Sequence, residues 1–185
     1  LCNVLSAFFF FFASFFYVVI YTIWLKPRTE QNIVIGGAAG ALPVLIGYSA
    51  VTSNISLDSI IMFTIVFLWT PPHFWALATY HEDDYRNAGF PMLPVNHSRK
   101  STTFQMLVYT ILTVLCSLLL IFSSVLNLIY IICSVFLGAW FIFYAIRLYR
   151  LNEKAPRKDF MKFFHLTNGY LALLFIVIAI DSVVS

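Results

Sequence analysis

The sequence predicts an all-α fold, a polytopic membrane bundle of six transmembrane helices in one domain. Three observations predict it. Of 185 residues, 61% are hydrophobic and 10% charged, whereas a soluble domain carries about 45–50% and about 25%. The apolar residues gather into six runs near the roughly 20 residues that one helix needs to cross a bilayer. All 11 Lys and Arg fall after the first, third and fifth runs, and none after the second or fourth. The runs are too long for strands and lack the two-residue alternation of a barrel. This composition excludes a soluble globular enzyme, a nucleic-acid module and a disordered tail.

The first span is 4–25. Residues 8–12, with Phe15 and Phe16, are phenylalanines. They suit a lipid-facing surface, and one side of them suits an isoprenoid channel. Tyr21 lies about one turn before the end of this span, and the next connection carries Lys26, Pro27, Arg28, Glu30, Gln31 and Asn32. Lys26 and Arg28 suit lipid headgroups or a diphosphate, the lysine as a point charge and the arginine as a fork. The second span, 33–51, opens with Gly36, Gly37 and Gly40. No Lys-Ser/Thr follows, so a phosphate loop is excluded, and the spacing of Gly36 and Gly40 predicts close helix packing.

The third span, 57–80, contains Trp69, Pro71, Pro72 and His73. Adjacent prolines remove two backbone donors and predict a kink or break. His73 beyond them is a polar residue inside the membrane, read either as part of a site or as a hydrogen bond to a neighbouring helix. Glu82, Asp83 and Asp84 follow at the helix end. Mg²⁺ takes one or two carboxylates together with substrate phosphate oxygens, and a solvated acidic loop is the alternative. Gly89, Pro91 and Pro94 make the rest of this loop stiff.

The remaining spans are 104–122, 126–146 and 163–184. His97 reads as a loop residue and His165 as an interfacial one. Cys2, Cys116 and Cys133 have no metal or disulfide spacing and read as small hydrophobes. Alternate connections share one side, so every cation lies on one face. The positive-inside rule makes that face cytoplasmic. Six of the eight acids share it, which topology alone does not explain. The chain begins at Leu1 rather than Met and reads as N-terminally incomplete.

The stretch from Tyr21 to Ala41, the run Trp69-Thr70-Pro71-Pro72-His73-Phe74-Trp75-Ala76-Leu77-Ala78, then Asp83-Asp84-Tyr85-Arg86 and Ala88-Gly89-Phe90-Pro91-Met92-Leu93-Pro94-Val95 closely resemble the heme O synthases. These protoheme IX farnesyltransferases are a branch of the UbiA-type intramembrane prenyltransferases. The likeness covers residues 1–109 in detail and the rest in span pattern. It implies transfer of farnesyl from farnesyl diphosphate to a vinyl group of heme b, which is a substrate and not a cofactor. It also implies Mg²⁺ on the diphosphate, a lipid bilayer as surroundings, a bacterial cell inner membrane and a downstream heme A synthase. No nucleic acid is implied.

By this resemblance Asp84, then Asp83, then Glu82 are the metal ligands, and Asp83 and Asp84 the catalytic carboxylates. Lys26, Arg28, Tyr21 and Arg86 are diphosphate contacts, and His73 and Trp69 line the heme or prenyl pocket. The family has about nine spans and an earlier NDxxDxxxD motif. Neither that motif nor the first three spans occur here, so these residues alone are expected to have little or no activity. The later motif is commonly DxxxD, and the loop commonly Leu-Lys-Arg, whereas Pro27 follows Lys26 here. Other readings are a UbiA-type enzyme with another aromatic acceptor, a transporter with paired broken helices, and a non-catalytic membrane fragment.

Overall fold

The computed structural model describes residues 3–184. Cys2 lies outside the described residues. Helix α1 (Val4–Phe15) starts where the Asn3 side chain accepts the Ser6 amide at 2.9 Å. It continues without interruption into a π-helix (Phe16–Leu25), closed by the Lys26 amide on Tyr21 O at 2.8 Å. The wider turn lets Thr22 Oγ1 donate to the carbonyl of Tyr17, five residues back, at 2.8 Å. Nothing in the apolar run signals this change of pitch. Helix α2 (Asn32–Thr52) follows. Helix α3 (Leu57–Tyr80) opens with a reciprocal cap between Ser56 and Ser59.

Two short helices, α4 (Glu82–Asn87) and α5 (Leu93–Asn96), form the connection to α6 (Arg99–Leu118), which Ser98 caps. A 3₁₀ turn (Leu119–Phe122) ends that span. Helix α7 (Leu128–Leu151), a 3₁₀ turn (Asn152–Lys154) and α8 (Arg157–Val184) complete the chain. Among the described residues, six helices are thus long and apolar enough to cross a membrane. The fourth and sixth begin earlier than their apolar runs, at Arg99 and Arg157. Lys and Arg lay aliphatic stems along a helix end while their charges reach outward. Much of the basic population therefore sits on helix termini rather than in loops.

Helix α3 lies centrally, packed against α2, α6 and α8. Its expected kink or break is corrected in one respect: the helix runs unbroken through Pro71 and Pro72. Prolines there free the carbonyls of Phe67 and Leu68, yet Thr70, Pro71, Pro72 and His73 are all buried among neighbouring helices. Tertiary packing can hold a proline-bearing membrane helix together in this way. Trp75, Ile65, Met106, Tyr130, Phe141 and Tyr170 fill the core. Phe8, Phe10, Phe11, Phe12 and Phe15 are exposed, as expected of a lipid-facing surface. Cys116 is buried and Cys133 half-buried.

Clusters of polar contacts lie at both ends of the bundle. At one, Asn3 donates to Ser49 O, Ser123 to Asp58 and the Asn127 amide to Asp181. At the other, Glu30 meets His97 at 3.0 Å, Lys100 N meets Glu153 at 3.1 Å, and Asp83 meets Arg157. The three basic connections are therefore brought together in space, as the charge segregation predicts.

Candidate functional site

Two cavities lie among the first three spans and the α3–α4 connection. The larger, about 370 Å³, is lined by Phe10, Ala13, Ser14, Tyr17 and Tyr21 from the first span, by Ile33, Gly36, Gly40, Pro43 and Ile46 from α2, and by Thr70 and Phe74 from α3. Its walls are overwhelmingly apolar, and one face of the phenylalanine-rich span does line it. The second, about 340 Å³, is lined by Leu77, His81, Asp84, Tyr85, Ala88 and Phe90. Lys26 lies beside the second. It ends the π-helix that carries Tyr21, and its ammonium lies 4.8 Å from the ring centroid of Phe90.

The glycines divide in a way their spacing does not suggest. A β-carbon at Gly36 would stand 2.8 Å from Tyr21 Cε2 and 3.0 Å from Cγ, and one at Gly37 would stand 3.2 Å from Thr70 Cβ. At Gly40 nothing lies within 4 Å. All three line the cavity, but Gly36 and Gly37 also admit neighbouring helices, while nothing packs against Gly40. The expected Gly36–Gly40 packing pair is corrected to Gly36 with Gly37.

Glu82, Asp83 and Asp84 follow one another on α4. Successive helical residues point about 100° apart, so three adjacent carboxylates cannot converge. Glu82 Oε1 accepts from Arg86 at 2.5 Å, and Glu82 Oε2 lies 4.0 Å from Arg99. Asp83 accepts both nitrogens of the Arg157 fork at 2.5 and 2.9 Å. This pairing holds the Asp83 carboxyl below the usual carboxylate range. Asp84 Oδ2 lies 3.0 Å from His81 Nδ1, and the Asp84 side chain is 78% exposed. Beside it, burial raises the Tyr85 phenol. No three His, Cys, Asp or Glu side chains converge as a metal site among the described residues.

The other site residues are dispersed. Arg28 folds back and caps the π-helix, donating to Ile23 O at 3.0 Å and Trp24 O at 3.1 Å. Arg86 is engaged by Glu82. Trp69 and His73 lie toward α8, while Thr70 and Phe74 on the same helix line the cavity. The His73 ring is stacked between Trp69 at 4.2 Å and Phe164 at 4.3 Å. Its Nδ1 is 2.7 Å from Thr167 Oγ1. Thr167 gives its one hydroxyl hydrogen to Phe164 O at 2.7 Å, so His73 Nδ1 is the donor. Trp69 Nε1 donates to Thr167 O at 2.8 Å. Of the two readings of His73, the contacts match the hydrogen bond to a neighbouring helix. His165 is exposed on α8.

Several residues that position the site were given no role by the sequence reading. Buried Asn32 donates to Thr29 O at 2.6 Å and Pro91 O at 3.2 Å, joining the Lys26 loop to the Asp84 loop. Glu30 does the same through His97. Arg99 donates to Ala155 O at 2.7 Å, and Arg157 anchors Asp83. A cation among many cations gives no sign of which one meets which acid.

A profile of the UbiA prenyltransferase family matches residues 1–168. The chain is 47% identical to protoheme IX farnesyltransferase 1 of Saccharopolyspora erythraea over 182 residues, 98% of this chain and 58% of that one. It is 46% identical to the protoheme IX farnesyltransferase of Rickettsia bellii over 95% of this chain and 58% of the relative. The corresponding figures for Mycolicibacterium gilvum are 44%, 97% and 57%. The chain therefore spans under two thirds of the length of these relatives. No solved structure matches it.

Proposed function

We propose, from the premise that this chain belongs to the UbiA prenyltransferase family, that it is part of an enzyme that farnesylates protoheme IX to heme O. One observation carries this beyond family membership. An apolar cavity walled by Tyr21 and a second cavity bearing Asp84, with Lys26 against its Phe90 wall, supply the apolar and charged parts that a prenyl chain with a diphosphate head requires. Three relatives carry the name protoheme IX farnesyltransferase. The basic end is cytoplasmic, in the inner membrane of a bacterium, and the heme O made there passes to a heme A synthase.

The farnesyl chain lies between Tyr21, Gly40 and Phe74, away from water. Lys26 attracts the diphosphate, and the Tyr21 hydroxyl donates to it. Departure of diphosphate breaks the allylic C–O bond. The vinyl carbon of heme b attacks the resulting cation, and water adds to the benzylic-type cation left on the porphyrin side, releasing one proton. Asp84 would hold a Mg²⁺, an ion that needs only one or two protein carboxylates beside phosphate oxygens. The ion supplies neutralisation of the leaving charge. Glu82 and Asp83, held by arginines, then orient the α4 turn that presents Asp84.

Mass spectrometry of hemes tests this. Membranes containing the complete protein, given heme b, farnesyl diphosphate and Mg²⁺, yield heme carrying one hydroxyethylfarnesyl group. Unmodified heme from a folded, complete protein would refute the acceptor assignment. The 185-residue chain alone yields none.

A further inference from the structure

A third cavity lies away from those cavities, where α7 meets α8 at the basic end. It measures about 80 Å³, and Tyr144, Arg147 and Leu151 of α7 face Asp159, Lys162 and Phe163 of α8 across it. Arg147 is four residues inside the end of α7, and Lys162 five residues inside the start of α8. At 1.5 Å per residue both lie about 6–8 Å inside the helix ends. Asp159 is the pocket's one acid and is already neutralised by Lys162, 3.4 Å away. Arg147 makes no ion pair among the described residues, which leaves the pocket one positive charge in surplus.

The surroundings extend the pattern. Tyr144 makes edge contacts with Trp140 at 5.9 Å and Phe143 at 5.5 Å, and Trp140 and Phe143 are exposed down the side of α7. Tyr144, seven residues inside the end of α7, suits a membrane interface. Below it runs apolar surface for acyl chains. Arg150, Lys154 and Lys158 stand nearby without ion pairs among the described residues and repel the amine of a zwitterionic headgroup. The pocket is far too small for a porphyrin.

We infer that the α7–α8 pocket is a built site for one anionic glycerophospholipid, its phosphodiester between Arg147 and Lys162 and its acyl chains beside Trp140 and Phe143. Basic pockets between membrane helices are suited to this chemistry. The inference is independent of the transferase reading, because the site shares no residue with it.

Native mass spectrometry of the purified chain in neutral detergent, titrated with phosphatidylglycerol or phosphatidylethanolamine, tests the site. One phosphatidylglycerol is retained in preference to phosphatidylethanolamine. Arg147→Gln weakens retention about fivefold, and Arg147→Gln with Lys162→Gln about 25-fold, at about fivefold for each surface cation. Lys162→Arg retains it. Arg150→Gln with Lys158→Gln, outside the pocket, changes it less than threefold. Equal retention of the two lipids would overturn the inference. So would an outer pair as damaging as the inner one, which would reveal a diffuse field, or one-for-one displacement of the lipid by protoheme. Should the double variant fail to fold, the Arg147→Gln and Lys162→Arg comparison still decides.

Discussion

Replacing Gly36 with alanine separates two kinds of glycine on one helix face. The new β-carbon would stand 2.8 Å from Tyr21 Cε2 and 3.0 Å from Cγ, against about 3.5–4.0 Å for an ordinary carbon contact. Because Cγ is at the root of the ring, turning the ring about its own axis does not relieve the overlap. Either χ1 changes, which moves Tyr21 out of the cavity wall, or the first span shifts away from α2. Overpacking of this kind costs about 1–3 kcal/mol. Alanine recovers about 1 kcal/mol of helix propensity, so the net loss is about 0–2 kcal/mol. At Gly40 no atom lies within 4 Å, and Gly40→Ala shows only the propensity gain, about 0.5–1 kcal/mol. Reversible unfolding of the purified chain in mixed micelles measures both. The expected result is a lowered midpoint for Gly36→Ala, an unchanged or raised one for Gly40→Ala, and recovery of the first when Tyr21→Ala is added. Equal shifts for the two glycines, or no coupling to Tyr21, would refute the reasoning.

Three further outcomes follow from the site geometry. In the complete protein, Asp84→Asn lowers heme O formation by about 10²–10³-fold, the scale of losing a group that stabilises developing charge, while Asp83→Asn lowers it less. Steady-state turnover of the two variants, with folding checked by circular dichroism, decides whether Asp84 is the metal-facing acid. Arg157→Ala releases Asp83 and speeds amide exchange across α4. Because the folded Asp83 carboxyl is held low, its contribution is present above the usual carboxylate pKa of about 3.9 and is lost only as pH falls through its lower folded value. Exchange in α4 of the parent chain is therefore flat from pH 8 to pH 5 once corrected for intrinsic rates, and a midpoint near neutrality would contradict the Arg157 pairing. His73→Phe keeps the stack between Trp69 and Phe164 and loses one hydrogen bond to Thr167, costing about 1 kcal/mol. A large fall in turnover with stability intact would place His73 in contact with substrate instead.

The span pattern was legible because crossing a bilayer is a requirement on composition. Twenty apolar residues in a row have few other uses, and Lys and Arg cannot be scattered across both faces without cost. The same logic brought Lys26, Glu82, Asp83 and Asp84 to one end before any coordinates. Partner choice was not legible. Asp83 meets Arg157, 74 residues away, and nothing local distinguishes Arg157 from Lys158 or Arg150. Nor could adjacency reveal that three neighbouring carboxylates point apart, since that depends on the connection being helical at α4. Pro71 and Pro72 announce two missing hydrogen bonds, but whether the helix breaks depends on the neighbours that surround it.

By itself the amino-acid sequence determined the class of the protein, the number of its membrane helices and the gathering of its charged residues at one end. These follow from one-dimensional quantities, hydrophobicity summed over a span and charge counted over a loop. Only the tertiary structure decided which glycine receives Tyr21, which acid remains open beside His81, and that His73 turns toward Thr167 rather than into the cavity. Those outcomes rest on distances between residues far apart in the chain, and short-range packing and hydrogen-bond energies select among them only once the helices have met.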